Sequence, residues 1–279
     1  MGTKINYIGV REITLTDNEL TKFYSGDFPI DLFENQYLMI RDTAGNVVDK
    51  RFFHNGELEE VRYKTFDSQY LGKVKPRNEY QELAFHMFSD RRIPVKLFTS
   101  VYGGGKDFIM SAAAAQLLEK GIFERMIYIR PNVSLGGIPD IGYLKGSEFD
   151  KLGWTLAPLW DKFGGEDAVR SLCENGTIEL VGLPFIRGRS FENSLIYVSE
   201  GQNITREIAG VIFGRVGENS ELWINGDCHS QTDKRLYDDN NGIRAIIDKL
   251  SGNGLFEAVY SPITERSKVA ELAKLIVDD

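Results

Sequence analysis

From Pro94 onward, short apolar runs alternate with helix-like stretches, and this alternation limits the fold more than any other feature of the chain. PVKLFTS at 94–100, RMIYIR at 125–130, residues 179–183, SLIYVS at 194–199 and SELWIN at 220–225 read as strands. Residues 79–89, the Ala-rich 108–120, 166–174, 204–213 and 239–250 read as helices. Nearly continuous apolar strands separated by helices belong in a mostly parallel sheet buried on both faces, so the predicted class is α/β with helices on both sides. Residues 5–63 read differently. QYLMIRD, VVDKRFF and ELEEVRYKTF are strand-like, and Ala44-Gly45-Asn46 and Asn55-Gly56 carry turn chemistry. The sequence therefore predicts a small β-rich N-terminal domain over 1–75 and a larger α/β domain over 76–279. DSQYLGKVKP (67–76) serves as linker, and His54 lies on a surface turn.

Composition narrows the function classes. A chain of 279 residues can bury a core without staples. Its net charge is −8, with −2 on residues 1–75 (10 basic, 12 acidic) and −6 on the rest (23 and 29), so neither part is a basic module that coats phosphates. Two cysteines and three histidines argue against a disulfide framework or a zinc site, and Cys228-His229 beside Asp227 resembles a metal pair only superficially. No signal peptide or long apolar run is visible, and Asn6 breaks the match of Met1-Gly2 to a myristoylation motif. The expectation is a cytoplasmic protein with no membrane contact, in which the sequons at Asn132, Asn175 and Asn203 are chance matches.

The sharpest local feature is Ser100-Val101-Tyr102-Gly103-Gly104-Gly105-Lys106-Asp107, lying between an apolar strand and a helix. Glycines allow backbone N–H groups to approach phosphates, the helix N-terminus favours anions, and Lys106 would reach the terminal phosphates. A glycine turn feeding a helix is the plainer reading. Leu195 to Glu200 is an apolar strand ending in Ser199-Glu200, where a phosphate-loop enzyme holds its metal and positions water. Relative to the usual pattern, the loop hydroxyl has become Asp107 and the strand-end carboxylate has become Ser199. Either the two have exchanged roles around Mg²⁺, with Asp107 as the direct ligand and Ser199 beside it, or the metal site has decayed.

The combination from Pro76 onward resembles the PhoH family of P-loop ATPases, themselves similar to superfamily 1 helicases. The likeness rests on Lys75 to Gln81, on Thr99 to Asp107, and on Ile127 to Pro131 continued by Val133 to Gly136 and Asp140 to Gly146. It goes on through Ile186-Arg187-Gly188-Arg189-Ser190-Phe191, Ser199 to Asn203, Asn225-Gly226-Asp227 and Glu265-Arg266-Ser267. Glu34 to Asp42 looks like the small β region preceding the ATPase in two-domain members. Ser100, Asp107 and Ser199 depart from the family's Gly, Thr and Asp.

The resemblance implies a RecA- or helicase-like P-loop fold, ATP and Mg²⁺ as cofactors, an ATPase coupled to RNA or single-stranded nucleic acid, and a homo-oligomeric ring. Carried over by position, Gln81 would read the adenine edge (or be an exposed helix glutamine). Tyr102, Gly103, Gly104, Gly105, Lys106 and Asp107 would hold the nucleotide. Glu200 would orient the attacking water, and Asp227 would sense the γ-phosphate or cap a helix. Arg130, Arg187, Arg189 and Arg266 are the available cations for phosphate or nucleic acid, with Arg266 placed among the catalytic groups. Tyr143, Trp154 and Trp160 would stack unpaired bases or pack in the core. The competing class is a relative that binds nucleotide or nucleic acid without hydrolysis, as a scaffold or assembly protein.

Overall fold

A computed structural model of the chain describes residues 9–101, 103–131, 156–227 and 240–265. The first part is a four-stranded sheet of β1 (Val10–Thr14), β2 (Gln36–Arg41), β3 (Val47–His54) and β4 (Glu57–Glu60), in that spatial order. β1 runs parallel to β2, and the other pairs are antiparallel. The turn expected at Asn55-Gly56 is present, with both residues at positive φ, as a tight hairpin turn requires.

Where only strands and turns were expected, helix α1 (Asp17–Ser25) separates β1 from β2. Its signal is a capping box: the Thr16 side chain accepts from the Glu19 N–H, and Glu19 accepts from the Thr16 N–H. His54 is also corrected. It is buried, stacked on Phe52, with Nδ1 2.7 Å from Asn35 Oδ1.

The expected linker at 67–76 is instead a hairpin, β5 (Phe66–Ser68) and β6 (Gly72–Val74). Phe66 stacks on Phe85 with ring centroids 4.3 Å apart, and the Asp67 N–H donates to Gln116 Oε1 at 2.9 Å. Strands of three residues have too few alternations to leave a periodic signal.

After α2 (Glu79–Ser89) the chain forms a six-stranded, all-parallel sheet of β7 (Val95–Ser100), β8 (Arg125–Ile129), β9 (Ile178–Leu180), β10 (Ser194–Val198), β11 (Glu221–Gly226) and β12 (Phe256–Ser261). Their spatial order is β12-β7-β11-β10-β8-β9. The intervening helices are α3 (Lys106–Glu119), α4 (Ala157–Trp160), α5 (Glu166–Glu174), α6 (Arg206–Phe213) and α7 (Gly242–Leu250). Alternate strand residues enter two cores. Leu195, Tyr197 and Trp223 pack with α2, α3 and the N-terminal sheet, while Ile196, Val198 and Ile224 pack against α6 and α7. This is the predicted α/β class with both faces covered.

The N-terminal sheet is joined to the main sheet by contact as well as by sequence. Val10, Tyr37, Met39 and Phe52 lie in the same apolar cluster as α2 and α3, and Asn35 Nδ2 donates to the Phe256 carbonyl at 3.1 Å. The order of the central strands sets up the site. β11 lies between β7 and β10, so its C-terminal end sits between the loop that follows β7 and the turn that follows β10.

Candidate nucleotide-binding cleft

The loop after β7 is shaped by its glycines. Gly105 caps α3 in the left-handed conformation at φ +81°, where a side chain would be strained. A Cβ on Gly104 would lie 2.6 Å from Ser100 Oγ, so the serine at the first loop position occupies the space a side chain would need. α3 therefore begins at Lys106 with its first N–H groups uncapped by any side chain, the arrangement that attracts an anion.

A cleft of about 630 Å³ opens at this end of the sheet. It is lined by Gln81, Gly103, Gly104, Gly105, Lys106, Asp107, Arg130, Glu200 and Glu265, and also by Lys75, Arg77, Asp161 and Lys162. The described lining thus holds five basic side chains against four acidic ones in a chain of net charge −8, a local excess of the sign a polyphosphate requires.

Gln81 is buried, which overturns the exposed-helix reading. Its Oε1 accepts from the Arg77 N–H at 2.9 Å and its Nε2 donates to the Gly104 carbonyl at 3.3 Å, tying α2 to the loop. Asn78 caps α2 and also donates to Glu265 Oε1 at 2.5 Å, while the Glu265 N–H donates to the Gly103 carbonyl at 3.0 Å.

Glu200 follows β10 in the left-handed conformation, φ +58°, uncommon for a residue with a side chain. Its N–H donates to Asn225 Oδ1 at 3.1 Å. Its carboxylate accepts from Gln202 Nε2 at 2.5 Å and lies 3.9 Å from the Arg130 guanidinium. Backbone strain of this kind gathers at functional sites.

Asn225, at the end of β11, carries the link between the two halves. Its Oδ1 holds the Glu200 backbone and its Nδ2 donates to Asp107 Oδ1 at 3.1 Å. Sequence reading placed Asn225 in a motif without giving it a role. Its position between two loops is a product of strand order, which no local pattern encodes.

Asp107 differs from the expectation. One carboxylate oxygen is ion-paired with Lys162, and the other accepts from the Tyr197 hydroxyl at 2.9 Å and from Asn225. Burial would raise its pKa, but the Lys162 ammonium and these donors outweigh it and hold the group below the usual carboxylate range. Burial and the same negative charge push the Tyr128 phenol up to about 12. Ser199 is 1% exposed and does not line the cleft. The pair expected around Mg²⁺ is arranged differently: Lys162, Tyr197 and Asn225 all donate to the Asp107 carboxylate, which lines the cleft, while the serine is buried. Among the described residues, no group of three His, Cys, Asp or Glu side chains could hold a metal.

The remaining predicted residues divide. Asp227 is fully buried at the end of β11, with its N–H donating to Gln202 Oε1 at 3.1 Å, and it is not among the cleft residues. Arg189 pairs with Glu179 at 2.6 Å and lies over the Phe191 ring at 4.7 Å, while Arg187 is exposed; neither lines the cleft. Trp160 packs against the main core. Tyr102, Arg266, Tyr143, Trp154, Cys228 and His229 lie outside the described residues. Lys162 was missed altogether, because it lies 55 residues beyond Asp107 in a stretch without a motif.

A parallel sheet whose glycine loop and following helix face a charged cleft at the strand ends defines a P-loop NTPase fold. Residues 73–271 match the family model described as PhoH-like protein, which covers more than half of the sequence, and the chain belongs to the PhoH family. It is 27% identical over 278 residues to Protein PhoH2 of Bacillus subtilis, covering 96% of this chain and 60% of that protein. It is 29% identical over 225 residues to Protein PhoH2 of Mycolicibacterium smegmatis, covering 79% and 51%. Protein PhoH of Escherichia coli is 30% identical over 166 residues, covering 58% and 46%. The chain thus spans about 60% of the length of the Bacillus relative it matches. Family membership supports a general nucleotide-binding or ATPase role. No helix among the described residues is long and apolar enough to cross a membrane.

Proposed function

We propose that the chain binds ATP in the cleft at the strand ends and hydrolyses it, coupling this to the binding or remodelling of RNA or single-stranded nucleic acid as a cytoplasmic homo-oligomeric ring. The observation that supports the reading most is the uncapped start of α3 at Lys106, facing the cleft beneath the glycine loop. Phosphoryl transfer requires positioning and charge stabilisation more than covalent help. Lys106 and the α3 amides would hold the phosphates, and Arg130 would face the developing charge. Glu200 sits across the cleft with its backbone fixed by Asn225, where its carboxylate would orient the attacking water. Gln81 would exchange its contacts with Arg77 and Gly104 for the adenine edge, since an amide offers both a donor and an acceptor. Arg187, Arg189 and Arg266 remain candidates for nucleic-acid backbone or a neighbouring subunit's phosphate.

The second reading, a relative that binds without hydrolysis, draws on the donors around Asp107 and the buried Ser199. Phosphate release separates the two. The ATPase reading expects release by the wild type that is lost in Lys106→Ala and Glu200→Gln. Full activity in both variants would remove the assignment, and binding without any release would favour the second reading.

A further inference from the structure

We propose that Lys162 supplies, from within the chain, the positive charge that a P-loop protein ordinarily draws from a bound divalent cation, so that the cleft takes a nucleoside triphosphate without a metal. The inference rests on the nucleotide reading of the cleft.

Asp107 stands where the loop hydroxyl of a P-loop directs Mg²⁺. An anion beside a polyphosphate costs affinity unless a cation offsets it, and here the offset is built in. Lys162 Nζ pairs with Asp107 Oδ2 and also donates to the Pro158 carbonyl at 2.5 Å. An ammonium has three donors, so one is left for a ligand.

The backbone that carries the ammonium is also held in place. The Lys162 N–H donates to the Leu159 carbonyl at 2.9 Å, and the neighbouring Phe163 is buried in the core. Lys162 is 14% exposed and lines the same cleft as Lys106. On the far side, Tyr197 and Asn225 turn their hydrogens toward the other Asp107 oxygen. A divalent ion would have to displace Lys162 and then meet those two donors. The structure thus assigns Asp107 the role of anchoring Lys162, with Tyr197 and Asn225 fixing the anchor.

Calorimetric titration of ATP into the full chain, in EDTA and in Mg²⁺, tests this with binding as the readout. Wild type is expected to bind in EDTA within about threefold of its affinity in Mg²⁺, and Lys162→Met to lose about tenfold or more in EDTA. Because Lys162→Met leaves Asp107 unpaired, Asp107→Thr/Lys162→Met is the second variant. It carries neither charge, restores the loop hydroxyl, and is expected to bind only with Mg²⁺. Wild-type binding that disappears in EDTA, or unchanged EDTA affinity in Lys162→Met, overturns the inference while the nucleotide reading stands. Binding in neither buffer overturns the nucleotide reading and this inference together.

Discussion

Two groups of charged side chains sit at opposite ends of the same central strands. At the C-terminal end, Asp107–Lys162 and Arg130–Glu200 line a cleft and keep between 14% and 32% of each side chain exposed. At the N-terminal end, Lys96 on β7 is completely buried between Glu221 on β11 and Glu257 on β12. Its ammonium donates to Glu221 Oε2 at 2.9 Å and to the Ile93 carbonyl at 2.5 Å. Trp223 Nε1 also donates to Glu221, and the Tyr37 hydroxyl donates to Glu257 at 3.2 Å. Both groups unite strands that are far apart in sequence, but only the first faces a cavity with donor capacity to spare. The second is enclosed by β2, α2 and the sheet. Its charges fix register and attach the N-terminal sheet, so losses there appear as lost stability, whereas losses in the cleft appear as lost ligand affinity.

The largest effect expected to sharpen this contrast is at Lys96. Lys96→Met removes the buried ammonium shared by Glu221 and Glu257; Glu221 keeps its pair with Arg91, and the loss is expected to cost about 3 kcal/mol in denaturant unfolding. An unchanged midpoint would make the buried group no more structural than the cleft. Lys106→Ala is the opposite case. Nucleotide affinity is expected to fall roughly 10- to 100-fold with the unfolding midpoint unchanged, as read by calorimetry and a thermal melt.

The buried group also carries a pH signature. Burial raises the Glu257 carboxyl from 4.5 to about 8, with Lys96 opposing it. Between those values the unfolded chain releases a proton that the folded chain keeps, so this group's stabilisation is full below pH 4.5 and is lost as pH rises towards 8. Burial lowers His86 from 6.5 to about 4, and its contribution is lost in the other direction, as pH falls through that window. Melting curves of Glu257→Gln against wild type isolate the first contribution: the variant gains relative stability from pH 5 to pH 8. Parallel curves would contradict the assignment. The smallest effect is expected at Arg189, whose half-exposed pair with Glu179 and contact with Phe191 contribute about 1 kcal/mol or less. Arg189→Ala should shift the unfolding midpoint only slightly.

The same contrast explains what was legible in the sequence. The main strands stood out because both their faces are apolar, and the loop at Gly103–Lys106 because phosphate geometry demands glycine beside a helix start. β12 is harder to see, because Glu257 interrupts the apolar run of FEAVYS, and that glutamate belongs to the buried group. The capping box at Thr16–Glu19 is a local signal that the strand-like segments on either side outweigh. His54 and the hairpin at 66–74 depend on distant partners, Asn35 and Phe85, which local patterning does not reveal. Lys162 and Asn225 belong to that last kind. They complete the candidate site through strand order and a 55-residue excursion, so only the folded chain brings them to Asp107.

The central claim is that the cleft at Lys106 is a nucleotide site. Thermal unfolding of wild type and Lys106→Ala, each with ATP and with adenosine, tests it most directly. A ligand that binds only the folded state at a hundred times its Kd adds about 2.7 kcal/mol of stability. ATP should therefore raise the wild-type midpoint clearly and adenosine much less, while a 10- to 100-fold weaker Lys106→Ala should keep only about 1.4 to 0.4 kcal/mol of the ATP stabilisation. An equal ATP shift in Lys106→Ala, or no shift in wild type, would contradict the account.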